Sequence, residues 1–338
     1  MNQVAIYIEY QKTINAMKQM VKKGVVPGIS YAIIDHHQIM ANIIGDQEWV
    51  PYRKPLLDNQ IYDLASLTKV VGTVPVILQL VQQHLLKIND SISKYLPEWK
   101  YPQVTVRHLL THTSGIAGWI PHRNQLPPKK MLKAMLGLHI NQNFDRKMVY
   151  SDTNFIFLGL IAKRITGKPI HQLITQMVLK PLDMTSSGFN PVDKKRCVPT
   201  EVMHGKLLKG TPDDPKAQIL GPDCGSAGLF STVSDLIKYC QAILYPQTDP
   251  AVLTPRMTNE LFHDHTYHGS LGRSYGWAVR HKPHFYIYQS GYTGTGIAIQ
   301  PDRQRAFIFL SNRVHPKRPN IPFLAYRKHV VETFISEK

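Results

Sequence analysis

A serine three residues before a lysine opens the chemical reading of this chain. Ser66-Leu67-Thr68-Lys69 lies within the run DLASLTKVV. A serine hydroxyl is a weak nucleophile until a neighbour takes its proton. On a helix, residues three apart share a face, so Lys69 can aim its amine at the Ser66 hydroxyl. The apolar neighbours Val70, Val71 and Val74 predict desolvation of Lys69, which would lower its pKa toward that of a working base. A helix start also offers free backbone N–H groups to an oxyanion. The spacing alone is common, and the chain holds a second copy, Ser91-Ile92-Ser93-Lys94. That copy sits in the polar run NDSISKYLPE and reads as a solvated helix start.

Two further groups carry chemical potential. Of 16 tyrosines, only Tyr150 is followed at the second position by Asp or Asn, in Tyr150-Ser151-Asp152. A phenol beside an ammonium can serve as a base. The blander reading is a helix N-cap at Ser151 or Asp152. The stretch Gln289-Ser290-Gly291-Tyr292-Thr293-Gly294-Thr295-Gly296 places glycines where a strand edge can let a ligand approach the backbone. It reads equally as a loose hairpin. His108 and His112 stand four apart, but no Glu follows His108, so the zinc-protease pattern fails. His263-Asp264-His265 and His268 read as a solvated loop, and no metal is expected.

The order of these motifs resembles that of the serine β-lactamase and penicillin-binding-protein superfamily, for which S-x-x-K is the first signature. The connecting phrases PGISYAII, DLASLTKVV, HLLTHTSGI, YSDTNFIFLG, KPLDMTSSGF, SAGLFSTVSDL, YGW, GYTGTG and LSNRVHP are similar to its class C-like branch. That branch includes esterases, D-stereospecific peptidases and carboxypeptidases. The resemblance runs from about Val26 to Pro316. It implies an acyl-enzyme on Ser66, proton transfer by Lys69 and Tyr150, and no cofactor. It places the oxyanion at the N–H groups of Ser66 and Tyr292, with Gln289, Ser290 and Gly291 along the pocket and Asp152 orienting Lys69.

One departure stands out. The third motif usually begins with Lys or His, then Thr-Gly; here those positions are Gln289, Ser290 and Gly291. Gln289 brings no charge, and Asp152 stands where many relatives carry Asn. Both changes point away from substrates held by a carboxylate, unless Arg273 or Arg313 reaches the pocket. The expectation is an esterase or amidase of small acyl substrates. The alternatives are a D-Ala-D-Ala carboxypeptidase or D-alanyl esterase of anionic cell-wall polymers, a weak β-lactamase, and a non-enzymatic sensor.

The elements that must hold these groups are legible in outline. The runs flanking Asp35-His36-His37 predict a hairpin, and YGWAVR, HFYIYQS, TGIAIQ and RAFIFLSN predict four more strands, with a turn at PDRQ. Helices are predicted at the N-terminus, over Ser66 to Leu86, Tyr150 to Thr166 and Thr232 to Leu244, and over FLAYRKHVVETFI. The fold class expected is α+β, β-lactamase/transpeptidase-like: one antiparallel sheet from both chain ends, flanked by helices, with an inserted helical subdomain. The whole chain, 1–338, is expected to be one catalytic domain. Its α/β half comprises 1–65 and 265–338, and its mostly helical part 66–264.

Composition limits what else the protein can be. The 338 residues are 43% hydrophobic and 19% charged, an ordinary globular balance. Lys+Arg 40 against Asp+Glu 23 gives +17, a field that favours anionic partners. The basic residues are scattered, with only short clusters at Lys129-Lys130, Lys194-Lys195-Arg196 and Lys317-Arg318, so no nucleic-acid partner is expected. Cys197, Cys224 and Cys240 form no CxxC pair and read as inert thiols. No apolar run reaches membrane-spanning length. The N-terminal apolar run, Val4 to Ile8, is too short for a secretory core, so a cytoplasmic location is expected.

Overall fold

The computed structural model describes residues 9–203, 205–247, 252–318 and 320–337. The apolar run at Val4 to Ile8 lies outside them. Helix α1 (Gln11–Lys22) leads into strands β1 (Gly28–Asp35), β2 (Gln38–Glu48) and β3 (Lys54–Pro55). The chain returns to the same sheet only at β4 (Ala278–Arg280), β5 (Tyr286–Ser290), β6 (Gly296–Gln300) and β7 (Arg305–Ser311). The spatial order is β4-β5-β6-β7-β1-β2-β3, with antiparallel pairing throughout. The two chain ends are therefore joined at the β1–β7 pair, in register from Ile29↔Ser311 to Asp35↔Arg305.

Successive strand side chains point to opposite faces, and β1 and β7 use both. Ile29, Tyr31, Ile33, Phe307 and Phe309 pack with Ile14, Met17 and Met20 of α1. Phe323, Val330 and Phe334 of the C-terminal helix (Pro322–Ser336) join that layer. Ala32, Ile34, Ile308 and Leu310 face the opposite way into the helical part of the molecule. A sheet buried on both faces reads as a continuous apolar run, as RAFIFLS does. The terminal helices are also clasped together: the Glu337 carboxylate accepts from the backbone N–H groups of Lys12 (2.8 Å) and Thr13 (3.0 Å).

The expected strands and helices are present with shifted ends. The predicted hairpin turns on His36 and His37 alone, with His36 at φ 54°. YGWAVR contributes only Ala278–Arg280, because the backbone turns just before it: Gly276 has φ 80° and its N–H donates to the Leu110 carbonyl. The helix predicted over Ser66 to Leu86 begins just after Ser66, has a π-helical turn at Lys69–Thr73, and ends at Gln82. The helix predicted from Tyr150 spans Asp152–Thr166 and stops at Gly167 in the left-handed region, φ 74°. The helix at Val233–Leu244 starts as read, with the Thr232 hydroxyl accepting from the Asp235 N–H. All three cysteines are buried, and burial pushes the Cys197 thiol up to about 11. Among the described residues, no helix is long and apolar enough to cross a membrane.

Candidate active site

Ser66 stands at the mouth of its helix because the segment before it is pinned. Tyr62–Asp63 pairs with the strand Leu229–Ser231, and Ala65 then adopts φ 44°. A left-handed non-glycine residue stores about 1–3 kcal/mol of strain and persists only where its surroundings fix it. Here the Ala65 N–H donates to the Asp63 carboxylate at 2.8 Å. The hydroxyls of Thr293 and Thr295 donate to the carbonyls of Asp63 (2.7 Å) and Leu64 (3.1 Å). Gly291 is required by the same closeness: a Cβ there would lie 2.4 Å from the Leu64 carbonyl oxygen. The third motif thus serves partly to hold the loop that carries Ser66.

Lys69 is fully buried and makes three bonds. Its Nζ donates to Ser66 Oγ (2.8 Å), Asp152 Oδ1 (2.7 Å) and the Ser226 carbonyl (2.9 Å). Burial opposes the charge, as the sequence suggested. The Asp152 carboxylate and the Tyr150 phenol outweigh it, however, and hold the ammonium well above the ordinary lysine value. The expected lowering of the Lys69 pKa is therefore overturned by one ion pair at 2.7 Å. Asp152 is the complement. Burial would raise it, but Lys69 and Lys216 (3.1 Å) hold it well below the usual carboxylate range. Ser151 occupies the N-cap without a side-chain cap bond, and the Asp152 side chain serves Lys69.

Tyr150 is 43% exposed at the helix mouth, with Lys69 Nζ 5.1 Å from its ring centroid. Gln289 Nε2 donates to its hydroxyl oxygen at 3.0 Å. His112 packs against the ring, centroids 4.3 Å apart. Its Nδ1 accepts from the Ser151 N–H (3.2 Å) and faces the Asn154 amide (3.1 Å). Burial first, then Arg273 and Lys69, keep His112 well below the ordinary histidine value, so it stays neutral. Ser66, Tyr150, Asp152, Gln289, Ser290, Gly291 and Tyr292 all line one cavity of about 700 Å³. Every site residue singled out from the sequence is on it or, for Lys69, bonded to two residues on it.

Several neighbours carried no sequence signal of this role. Lys216 reaches Asp152 from the short helix Pro215–Leu220, and Ser226 offers only its backbone. Arg273 and Arg313 both line the cavity, so the condition attached to the uncharged Gln289, that neither arginine reaches the pocket, is not met. The third motif lost its charge at position 289, and other loops supply charge instead. The remaining candidates lie elsewhere. Ser91 caps Ser93 at the start of a 3-10 turn, while Lys94 pairs with Asp90 at the surface. His108 closes the capping box of Val106–Leu110. His265 stacks on Tyr275, and Asp264 accepts from the backbone of Thr266 and Gly272. Among the described residues, no three such groups gather as metal ligands.

The buried Asp63 gives a pH test of the pinned loop. Burial raises its carboxyl to about 7; the N–H groups of Asp213 and Ala65 pull it back, and the Asp213 carboxylate raises it. An acid with a raised folded pKa binds its proton more tightly folded than unfolded, so its contribution falls as pH rises from about 4 to 7. Buried histidines such as His112 and His171 act in the opposite sense. The informative quantity is therefore a difference. The stability advantage of wild type over Asp63→Asn should shrink between pH 5 and 8, by ~1 kcal/mol or more. Denaturant melts across that range measure it. A constant or growing advantage would show that Asp63 is ionised throughout.

Comparison with known proteins identifies the fold and the family. The chain is 25% identical over 305 residues to Protein flp of Staphylococcus aureus (strain COL), covering 86% of this chain and 60% of that protein. It thus spans less than two thirds of that relative's length. A putative D-alanyl-D-alanine carboxypeptidase of Salmonella agona (strain SL483) is 27% identical over 314 residues, 76% of this chain and 70% of that protein. Among solved structures, EstCE1, a hydrolase with promiscuous acyltransferase activity, superposes with a TM-score of 0.79 at 17% identity, covering 97% of this chain and 100% of that one. A class C β-lactamase gives 0.78 at 19%, covering 99% and 97%. At these identities the structures establish the fold. The family model for β-lactamase matches residues 13–329, nearly the whole described molecule, and the chain belongs to the β-lactamase family.

Proposed function

We propose that this protein hydrolyses small esters or amides through an acyl-enzyme on Ser66. The observation that carries the reading is the single ammonium of Lys69 bonded at once to Ser66 Oγ and Asp152, beside Tyr150 at the mouth of the same cavity. An ammonium cannot accept the serine proton, so that task falls to Tyr150 as the general base, with Lys69 donating to Oγ. The Oγ–carbonyl bond forms as the proton passes to Tyr150. The leaving group departs with that proton. Water then gives a proton to Tyr150 and attacks the acyl carbon. The acyl–Oγ bond breaks as Tyr150 passes that proton to Ser66 Oγ, which restores both groups. The N–H groups of Ser66 and Tyr292 are the proposed oxyanion donors, the first at a helix start where such groups lack intrahelical partners.

A second reading is favoured by one observation: Arg273 and Arg313 line the cavity. A charge-assisted bond to a substrate carboxylate is worth about 1.5–3 kcal/mol, or roughly 10–150-fold. That would suit a D-Ala-type peptidase or an ester with an anionic end. The test is a panel of p-nitrophenyl butyrate, p-nitrophenyl succinate, D-Ala-D-Ala peptides and nitrocefin. Simple-ester turnover with the highest kcat/KM on the neutral ester supports the first reading. Preference for the succinate or the dipeptide shifts the assignment to the second. No turnover and no covalent adduct anywhere in the panel would remove both.

A further inference from the structure

Arg273 is an anomaly in charge accounting. It is 4% exposed and, among the described residues, has no carboxylate within ion-pair distance. Its Nε is buried without a partner. Buried charges are ordinarily paired, because an isolated one is costly. What Arg273 does touch is the Tyr150 assembly. Its Nη2 donates to Gln289 Oε1 at 3.3 Å, and Gln289 Nε2 in turn donates to the Tyr150 oxygen at 3.0 Å. The guanidinium carbon lies 5.4 Å from the Tyr150 ring centroid.

The backbone fixes the arginine there. Arg273 lies in the loop that ends in Tyr275-Gly276-Trp277. The Gly276 N–H donates to the Leu110 carbonyl, and Gly276 has φ 80°. A Cβ at Gly276 would lie 2.8 Å from Val74, 3.1 Å from Val70 and 3.4 Å from Phe155. The loop is therefore packed directly on the two helices that follow Ser66 and Tyr150. Trp277 behind it is fully buried.

We propose that Arg273 is the positioning residue that restores, through Gln289, the positive charge missing from the third motif, and so holds the Tyr150 oxygen where it can move protons. Gln289 is the adapter: its amide carbonyl takes the arginine and its NH₂ group holds the phenol oxygen. A lysine at position 289 would act directly; here the charge comes from a residue 16 positions earlier in sequence. The inference rests on the proposed acyl-enzyme chemistry at Ser66.

The charged and titratable groups around Tyr150 are Lys69, Arg273, the neutral His112 and, through Lys69, Asp152 with its second cation Lys216; Arg280, which also lines the cavity, opposes the charge on Arg273 and stays in every variant. Removing one cation disfavours a phenolate. The test is the pH dependence of Ser66 labelling by a fluorophosphonate and of kcat on one neutral ester. The panel is wild type, Arg273→Gln, Arg273→Lys, and Arg273→Gln combined with Gln289→Lys. Arg273→Gln should move the rising limb up by about one pH unit and slow labelling at pH 7 about tenfold. Arg273→Lys should stay near the wild-type limb. The double variant should return toward it, which also shows that the loop folds without the arginine. Unchanged limbs in Arg273→Gln, with normal labelling of wild type, overturn this inference alone. A loss that Gln289→Lys fails to rescue, with a folded double variant, assigns Arg273 a purely structural part and overturns it too. Absence of labelling in wild type overturns the Ser66 reading and this inference with it.

Discussion

Ser66→Ala is expected to lower kcat by roughly 10⁴–10⁶-fold, the scale for deleting the nucleophile of a cooperating set. Stability should change little. Ser66 is only partly buried, and Lys69 keeps its bonds to Asp152 and the Ser226 carbonyl when the hydroxyl is gone. One lost hydrogen bond is worth about 1 kcal/mol, a shift of about 1–2 °C in a chain of this size. Ser91→Ala is the internal control. It carries the same S-x-x-K spacing but caps a surface turn, so kcat should stay near wild type. Steady-state kinetics, melting curves and mass spectrometry of an inhibitor adduct check all of this. An adduct on Ser91, or turnover surviving in Ser66→Ala, would refute the assignment.

Lys69→Met carries the second large effect, and it falls on stability as well as activity. The substitution removes the donor to Ser66 Oγ and is expected to reduce kcat at least ~10³-fold. It also strips Asp152 of one of its two cations. Removing one partner of a buried pair costs about 3–5 kcal/mol; Lys216 at 3.1 Å keeps the expected loss at or below the lower end. Combining Lys69→Met with Asp152→Asn removes the uncompensated charge. The double variant should regain much of the stability and none of the activity, a coupling that a double-mutant cycle reads directly. The pH dependence has a defined sign. The depressed Asp152 contributes fully above about pH 4 and loses this as pH falls through its folded value. The raised Lys69 contributes below about pH 10 and loses this as pH rises. The stability difference between wild type and Lys69→Met should therefore be flat from pH 5 to 9. Recovery of turnover in the double variant, or a stability difference that collapses near neutrality, would contradict the ammonium state of Lys69.

The sequence by itself determined the elements and named the candidate reacting groups. Period-2 apolar runs at both ends were enough to predict the antiparallel strands, because a sheet's side chains alternate whatever lies between the runs. Ser66, Lys69 and Tyr150 could be singled out as candidates because helix spacing brings i and i+3 together locally and because three motifs occur in a recognisable order. What needed tertiary structure were the contacts made across sequence distance. Asp152 lies 83 positions from Lys69, and only their approach to 2.7 Å decides that the lysine is an ammonium. Composition around Lys69 shows its apolar neighbours, whose effect is to lower its pKa; it cannot show a carboxylate arriving from another helix. Gln289 likewise looked like a lost charge, since a motif is read along the chain. The charge is present in space, carried by Arg273 on a loop held by Gly276 and Trp277. Electrostatics acts through distance and burial, and neither is written locally in the sequence.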